Sequence, residues 1–315
     1  MPMSYEVRIP KYMSPSSLKI FEKDPEDFAV KYLLKNRPDR PPQTQPMSVG
    51  SAFDAYVKSY LYKNLFGNYG PKGEYEKDAI FESQVERHNW DWAREAGQIC
   101  FDQYKTRGAL SDLMLELSQA IGPPRFEFSL QDFVEFESYS VPLLGKPDCY
   151  FVNAQGVRVV YDWKVNGYCA KRNTSPMKGY VCCRDAKGGR NAHKDAVIAP
   201  FMGIPINVMM HMEDGNKEWA DQLSIYSWLV GEPIGSEKVV FGIDQITGPG
   251  CSRISSHRLR IKPAWQYRLM ERICQVWSIV ESGHIFRDMT KAENDARLQL
   301  LEDLHTKENP VDEYL

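Results

Sequence analysis

The stretch Val157-Arg-Val-Val-Tyr-Asp-Trp-Lys164 decides how the middle of this sequence folds. Its β-branched and aromatic residues favour a β-strand. Because successive side chains of a strand point to opposite faces, Asp162 and Lys164 share one face and Trp163 lies on the other. The stretch therefore predicts a strand that ends with a carboxylate and an ammonium group side by side.

A second aspartate precedes this strand. Gly145-Lys-Pro-Asp148 comes just before the short strand Tyr150-Phe-Val, and the turn residues Asn153-Ala-Gln-Gly join the two strands. Adjacent strands joined in this way bring Asp148 beside Asp162. Hard oxygen ligands of this kind suit Mg²⁺ or Mn²⁺, which would activate water against a phosphodiester while the lysine orients the nucleophile or stabilises the developing charge. The alternative is a turn with two solvated aspartates and a surface lysine.

The rest of the sequence predicts helices on both sides of a group of strands. Short β-branched and aromatic runs indicate an antiparallel meander after residue 125, with a turn at Gln131-Asp132. Ser14 as N-cap and Pro15 in the first turn begin a helix that Pro25 divides. The other predicted elements are helices over 49–65, 76–108, 109–121, 217–230 and 264–281 and strands over 206–212, 239–243 and 258–261. This order predicts a single mixed α/β (α+β) domain, divided into a helical part (1–125), a core (126–290) and a tail (291–315).

Composition limits the class of protein. The 315 residues are 43% apolar and 26% charged, which excludes a disordered or fibrous chain, and the net charge of −3 argues against a uniformly basic DNA coat. The seven cysteines form no CxxC pair, so we expect reduced thiols and no zinc site. The alternative is a zinc site formed by Cys169, Cys182 or Cys183, and His193. With no apolar leader and no unbroken apolar span, we expect a cytoplasmic protein without a membrane segment.

Charge is distributed unevenly along the chain. Residues 164–194 hold eight basic residues and one acid, a local charge of +7, whereas the tail at 291–315 has a net charge of −4. A glycine-containing basic loop beside a site for phosphodiester chemistry would neutralise phosphates and steer DNA towards the site. The alternative is a long solvated loop. The candidate DNA-binding residues are Lys171, Arg172, Lys178, Arg184, Lys187, Arg190 and Lys194.

Five motifs in order resemble the PD-(D/E)XK nuclease superfamily, and within it the RecB-like and phage exonuclease branch. They span roughly residues 13 to 286, and each is weak alone. They are Ser14-Pro-Ser-Ser-Leu-Lys-Ile-Phe21, Gly50-Ser-Ala-Phe-Asp54, Gly145-Lys-Pro-Asp148, Asp162-Trp-Lys164 and Gln222-Leu-Ser-Ile-Tyr226. The second motif departs from the family pattern, because Asp54 stands where the family has a metal-binding histidine. The resemblance implies a restriction-endonuclease-like core with a central mixed sheet flanked by helices.

The resemblance also implies roles for these residues. Asp54, Asp148, Asp162 and the backbone carbonyl of Trp163 would bind Mg²⁺, or Mn²⁺, and Lys164 would be the catalytic lysine. Gln222 and Tyr226 would hold the DNA end or position the site. Two alternatives remain from the residues themselves: an exposed helix position for Asp54, and a packed place for Tyr226 in an apolar helix stripe.

We therefore expect a Mg²⁺-dependent exonuclease that cleaves linear DNA, duplex or single-stranded, in phage-type recombination, replication or repair. If the protein is phage-encoded, it would act in the host cytoplasm, with a single-strand annealing protein as a possible partner and a ring-like homo-oligomer as a possible assembly. Because the cysteines lack the early-plus-late arrangement of some relatives, no iron–sulfur cluster is expected. The alternatives are a non-catalytic nucleic-acid-binding protein on a nuclease-like fold, and an RNA-processing or endonucleolytic member of the superfamily.

Overall fold

The computed structural model describes residues 8–35, 40–67, 76–126, 128–166, 180–181, 197–248 and 253–283. The candidate DNA-binding residues between Lys171 and Lys194, the possible zinc ligands Cys169, Cys182, Cys183 and His193, and the acidic tail lie outside these residues. No helix in the described ranges is both long and apolar enough to cross a membrane.

Among the described residues helices come first along the chain, strands follow, and shorter groups of helices and strands end it. The strands are β1 (Arg125–Phe126), β2 (Leu130–Phe136), β3 (Tyr139–Gly145), β4 (Cys149–Val152), β5 (Arg158–Val165), β6 (Ile198–Phe201), β7 (Ile204–Asn207), β8 (Val239–Ile246) and β9 (Ile254–Leu259). The helices are α1 (Pro15–Lys23), α2 (Pro25–Phe28), α3 (Gln45–Phe66), α4 (Lys77–Gln84), α5 (Trp90–Thr106), α6 (Ala109–Ser118), α7 (Met212–Gly215), α8 (Lys217–Leu229) and α9 (Pro263–Glu281).

A five-stranded mixed sheet in the order β1-β4-β5-β8-β9 forms the centre of the fold, as the resemblance implies. Of the predicted antiparallel meander the β4–β5 pairing is confirmed, but the runs before it are not successive strands of one sheet, because β2 pairs with β3 in a separate sheet and β1 pairs with β4. Strand β5 also pairs with β8 in parallel. A parallel pair needs a crossover connection, and here helices α7 and α8 lie within that connection. All eight residues of β8 are buried, which is typical of a parallel strand covered on both faces.

Strands β2 and β3 form a separate hairpin, which the sequence analysis did not predict. The register pairs Phe136 with Tyr139, so the turn lies at residues 137–138 and not at Gln131-Asp132, which belong to β2. Two-residue hairpin turns require a positive φ, and Glu137 supplies it at 52°. The turn is hidden from sequence analysis because glutamate is not a typical residue for that conformation.

The helix boundaries agree with the sequence in most places. Ser14 caps α1 together with Ser17 in a reciprocal capping box, and a break at Asp24 separates α1 from α2. The helix predicted over 76–108 is interrupted, because the Glu86 amide donates to the Gln43 side chain at 3.1 Å instead of to a helix carbonyl. The strand predicted over 206–212 is also wrong: β7 ends at Asn207, and α7 begins at Met212.

The two faces of the central sheet are covered by different helices. Helices α3 to α6 pack on the face that carries Tyr161 and Trp163. Helix α8 packs on the opposite face, where Val160 and Phe241 lie. The alternation predicted for β5 is therefore confirmed, and Asp162 lies on the face that α8 covers. Helices α3 to α6 and the sheet share one hydrophobic cluster.

Candidate active site

Asp148 and Asp162 meet at the edge of the sheet where β4 begins and β5 ends. The β4–β5 register pairs Cys149 with Tyr161, so one step further along Asp148 lies across from Asp162. The Trp163 amide donates a hydrogen bond to Asp148 Oδ2 at 2.9 Å. Because the amide and carbonyl of one strand residue point to the same side, the Trp163 carbonyl also points towards the side that Asp148 occupies.

Lys164 connects this pair of carboxylates to helix α8. Its ammonium group forms an ion pair with Asp162 and donates to Gln222 Oε1 at 3.0 Å. Gln222 Nε2 in turn donates to the Tyr226 hydroxyl at 2.7 Å. Gln222 and Tyr226 lie one helical turn apart, so both side chains project from one face of α8. The structure thus brings together all five residues that the sequence named as catalytic.

Tyr226 is both packed and hydrogen-bonded, so the two predictions for it describe the same position. Its ring lies in the cluster that joins α8 to the sheet, and burial raises the pKa of its hydroxyl, which therefore stays neutral. A methyl group on Gly145 would lie 2.7 Å from both Tyr226 Cδ1 and Leu229 Cδ1. The glycine of the G-x-x-D motif is therefore needed because α8 approaches β3 closely.

Asp54 lies on helix α3, and its negative charge acts on Asp148. It is not the exposed helix residue of the alternative prediction, because its side chain is only 16% exposed. Its carboxylate forms an ion pair with Lys58, which follows one turn later and has a side chain only 2% exposed. Sequence analysis missed Lys58, although its spacing of four residues from Asp54 on one helix was a usable signal.

The charges of these residues act on one another. Burial, followed by the negative charges of Asp162 and Asp54, raises the pKa of Asp148 well above its usual range, while Lys58 and Lys164 oppose the rise. Burial lowers the pKa of Lys164, but Asp162 and Asp148 outweigh it and the pKa is raised. Lys164 is therefore a charged ammonium group at neutral pH, while Asp148 lacks enough positive charge around it to ionise easily.

The opposite face of β5 carries a second polar network that the sequence did not reveal. Arg258 donates to Glu116 at 2.9 and 3.1 Å, to Asp244 at 3.0 Å and to the Tyr161 hydroxyl at 3.0 Å. Tyr104 donates to Asp244 and accepts from the Trp163 indole at 3.2 Å. These residues are buried, and the network lies directly behind Asp162. An aspartate inside the apolar run of β8 was the one available sequence signal.

The donor set of the site suits a hard divalent cation. The described residues contain no ready-made cluster of three or more His, Cys, Asp or Glu side chains around a metal position. Mg²⁺, however, is commonly bound through one or two carboxylates, with waters and substrate phosphates completing its shell. Asp148, Asp162 and the Trp163 carbonyl match that pattern. Burial first and repulsion from Asp162 and Asp54 second raise the pKa of Asp148, and a cation there would offset that repulsion.

Comparisons with known proteins show distant likenesses only. No protein-family model matches the chain, and no curated protein matches it. A solved structure from Eubacterium rectale, of a protein proposed to be an exonuclease, is 13% identical with a TM-score of 0.45 and covers 90% of this chain and 88% of that chain. The structure of SSO0001 is 13% identical with a TM-score of 0.27 and covers 83% and 84%. Both are too distant to transfer a function to this chain.

Proposed function

We propose that this chain is a Mg²⁺-dependent nuclease of the PD-(D/E)XK type that hydrolyses phosphodiester bonds of linear DNA. The observation that supports the proposal best is the continuous set of contacts from Asp148 through the end of β5 to Lys164, Gln222 and Tyr226. Two carboxylates and a carbonyl at one sheet edge can bind a metal ion that activates water, and the ammonium group beside them can stabilise charge on a phosphate.

Each side chain has a part to perform in this reaction. A bound Mg²⁺ would supply Lewis-acid activation of water and offset charge on the phosphate. Asp148 and Asp162 would bind the cation through carboxylate oxygens. Lys164, held by Asp162 and Gln222, would orient the attacking water and stabilise the charge that develops on the phosphate. Tyr226 fixes Gln222, and Gln222 fixes Lys164, so both act by positioning.

The branch of the superfamily and the biological role are proposed from the order of the five sequence motifs. We propose an exonuclease of the RecB-like and phage branch that acts in the cytoplasm in recombination, replication or repair. The basic segment from Lys171 to Lys194 would bring the DNA to the site, because seven basic residues against one acid attract a polyanion. An annealing protein that receives the remaining strand would be a fitting partner.

The test is a nuclease assay on end-labelled linear DNA, with and without Mg²⁺. We expect Mg²⁺-dependent loss of the label by the wild type, and at least a 100-fold lower rate for Asp162→Asn and for Lys164→Ala, which remove a ligand and an electrostatic stabiliser. Matched controls are Asp102→Asn and Lys63→Ala, which alter exposed ion pairs away from the site. Circular DNA of the same sequence separates exonuclease from endonuclease action.

Two results would contradict the proposal. Full activity in Asp162→Asn or Lys164→Ala, in protein with an unchanged circular dichroism spectrum, would exclude this site. Tight DNA binding by the wild type without cleavage in Mg²⁺ or Mn²⁺ would instead favour a binding protein on a nuclease-like fold.

A further inference from the structure

We propose that Tyr104, on helix α5 behind the central sheet, is a positioning residue that acts through Trp163 and keeps Asp148 in place. This role rests on the proposed nuclease function, and none of the five sequence motifs contains the residue. Tyr104 belongs to the polar network on the face of β5 opposite to the site, and the reaction as described above gives that network no part.

Trp163 takes part in the candidate site and in the buried network at the same time. Its backbone amide donates to Asp148 Oδ2 at 2.9 Å, and its indole N–H donates to the Tyr104 hydroxyl at 3.2 Å. Only 6% of Trp163 is exposed, so the indole is removed from bulk water. Because the indole and the amide belong to one residue, a fixed indole limits how far the amide can move away from Asp148.

Tyr104 is held firmly enough to serve as the anchor. Its hydroxyl donates to Asp244, whose other carboxylate oxygen accepts from Arg258 at 3.0 Å. Its ring packs edge-on against Phe53, with 5.5 Å between the ring centroids. A phenol can donate one hydrogen bond and accept another, so the hydroxyl serves Asp244 and Trp163 together. The acceptor of the indole N–H is therefore fixed from two sides.

The position of the Trp163 backbone matters for the proposed chemistry. The amide holds one oxygen of Asp148, and the carbonyl is a proposed ligand of the cation. Groups that orient metal ligands through hydrogen bonds typically change metal affinity or activity about 10- to 100-fold when they are removed. Loss of the Tyr104 hydroxyl would leave the buried indole N–H without its acceptor, which favours a shift of Trp163.

The test follows hydrogen exchange of the Trp163 backbone amide in the full-length, metal-free chain labelled with ¹⁵N-tryptophan. The seven tryptophans give few signals, and Trp163→Phe identifies the one of interest. The Trp228 amide inside α8 serves as the internal reference for opening of the whole fold. We expect Tyr104→Phe to speed exchange of the Trp163 amide, relative to this reference, by about 5-fold or more, the equivalent of one lost hydrogen bond.

The matched control is Tyr161→Phe, which removes another hydroxyl from the same network. The Tyr161 hydroxyl accepts from Arg258 at 3.0 Å and donates to Asp244, whereas the Trp163 indole donates to Tyr104. We expect this variant to leave the relative exchange of the Trp163 amide unchanged.

Cleavage of linear DNA in Mg²⁺ gives the second measurement. Tyr104→Phe should lower kcat by about 10- to 100-fold, because the metal ligands are less well oriented. The KM for DNA should change by less than about 2-fold, because Tyr104 is buried behind the sheet and does not contact DNA.

The exchange and cleavage results separate this role from the proposed function. An unchanged relative exchange rate in folded Tyr104→Phe, or an equal rise in Tyr161→Phe, would overturn the role of Tyr104 and leave the nuclease proposal standing. Faster exchange in Tyr104→Phe, with no cleavage by the wild type, would support the anchor and overturn the proposed function.

The wild type decides the matter if Tyr104→Phe does not fold. An anchored Trp163 amide should exchange within about 10-fold of the Trp228 amide, although it lies at the end of a strand. A much faster rate would mean that Trp163 is not held in place, and the role of Tyr104 would be overturned.

Discussion

Strand β5 has a charged network on each face, and the two networks differ in how their charges are balanced. Behind the strand, Arg258 contacts two carboxylates and a tyrosine hydroxyl, and these residues are shielded from solvent. On the α8 face, Lys164 remains 24% exposed and pairs with Asp162, beside Asp148. The first network has its hydrogen bonds satisfied by the protein itself. The second contains a carboxyl group, that of Asp148, whose pKa is raised by burial and by neighbouring negative charges, so a bound cation would favour its ionised form, which distinguishes a candidate site from a structural network.

Removing the centre of the buried network should have the largest effect on stability. Arg258→Met leaves Glu116 and Asp244 buried without their cation, and breaking such a pair costs about 3–5 kcal/mol in unfolding free energy. Urea unfolding measures the loss. The control is Arg260→Met, which removes a partly exposed pair with Glu237 and should cost less than about 1 kcal/mol. Equal stability of the two variants would mean that the buried network contributes little.

A methyl group at Gly145 should affect both stability and activity, by a smaller amount. In Gly145→Ala the new carbon would meet Tyr226 and Leu229 at 2.7 Å, and overpacking of this kind costs about 1–3 kcal/mol. Displacing Tyr226 should also loosen Gln222 and Lys164, so the nuclease rate should fall although both aspartates remain. Urea unfolding and the DNA assay measure the two effects.

The matched control for that change is Gly50→Ala. Gly50 lies in α3 and has no atom within 4 Å of an added methyl group, so alanine there should stabilise the helix by about 0.5–1 kcal/mol. Normal activity in Gly145→Ala would mean that the approach of α8 to β3 does not position the site.

The contrast between the two networks also explains which of their residues could be predicted from the sequence. Asp162, Trp163 and Lys164 are adjacent in the chain, so strand alternation alone assigns them to faces. Asp148 lies one loop before this strand, so the pairing of neighbouring strands brings it beside Asp162. These relations are local and can be read from a single sequence. Gln222 and Tyr226 were assigned to the site by the resemblance alone, because Gln222 is 58 positions from Lys164 and no local pattern joins them.

The buried network depends on contacts that no local pattern contains. Arg258 and Glu116 are separated by 142 positions, and each alone resembles an ordinary surface charge. Whether a charge is paired in the core depends on the order of strands in the sheet, and the predicted meander had that order wrong. The hairpin turn at Glu137 was missed for a different reason, because its positive φ is imposed by the pairing of β2 with β3.

The smallest predicted change in stability gives the clearest comparison. Replacing an aspartate by asparagine should change the unfolding free energy in opposite directions on the two faces of β5. Burial and the charges of Asp162 and Asp54 raise the pKa of Asp148 above its usual 3.8, so the native state favours the protonated form. The proton on Asp148 therefore contributes to the unfolding free energy at low pH, and this contribution is lost as the pH rises through the pKa of Asp148 in the native state. Asp148→Asn should therefore raise the unfolding free energy of the metal-free protein at pH 7, while abolishing cleavage. Asp244→Asn removes the negative charge that pairs with the buried Arg258, so it should lower the unfolding free energy.

Urea unfolding of both variants in EDTA, at about pH 5 and at about pH 8, measures the difference between them. If Asp148→Asn lost stability as Asp244→Asn does, the carboxylates beside β5 would be structural, and the distinction between a closed and an open network would fail.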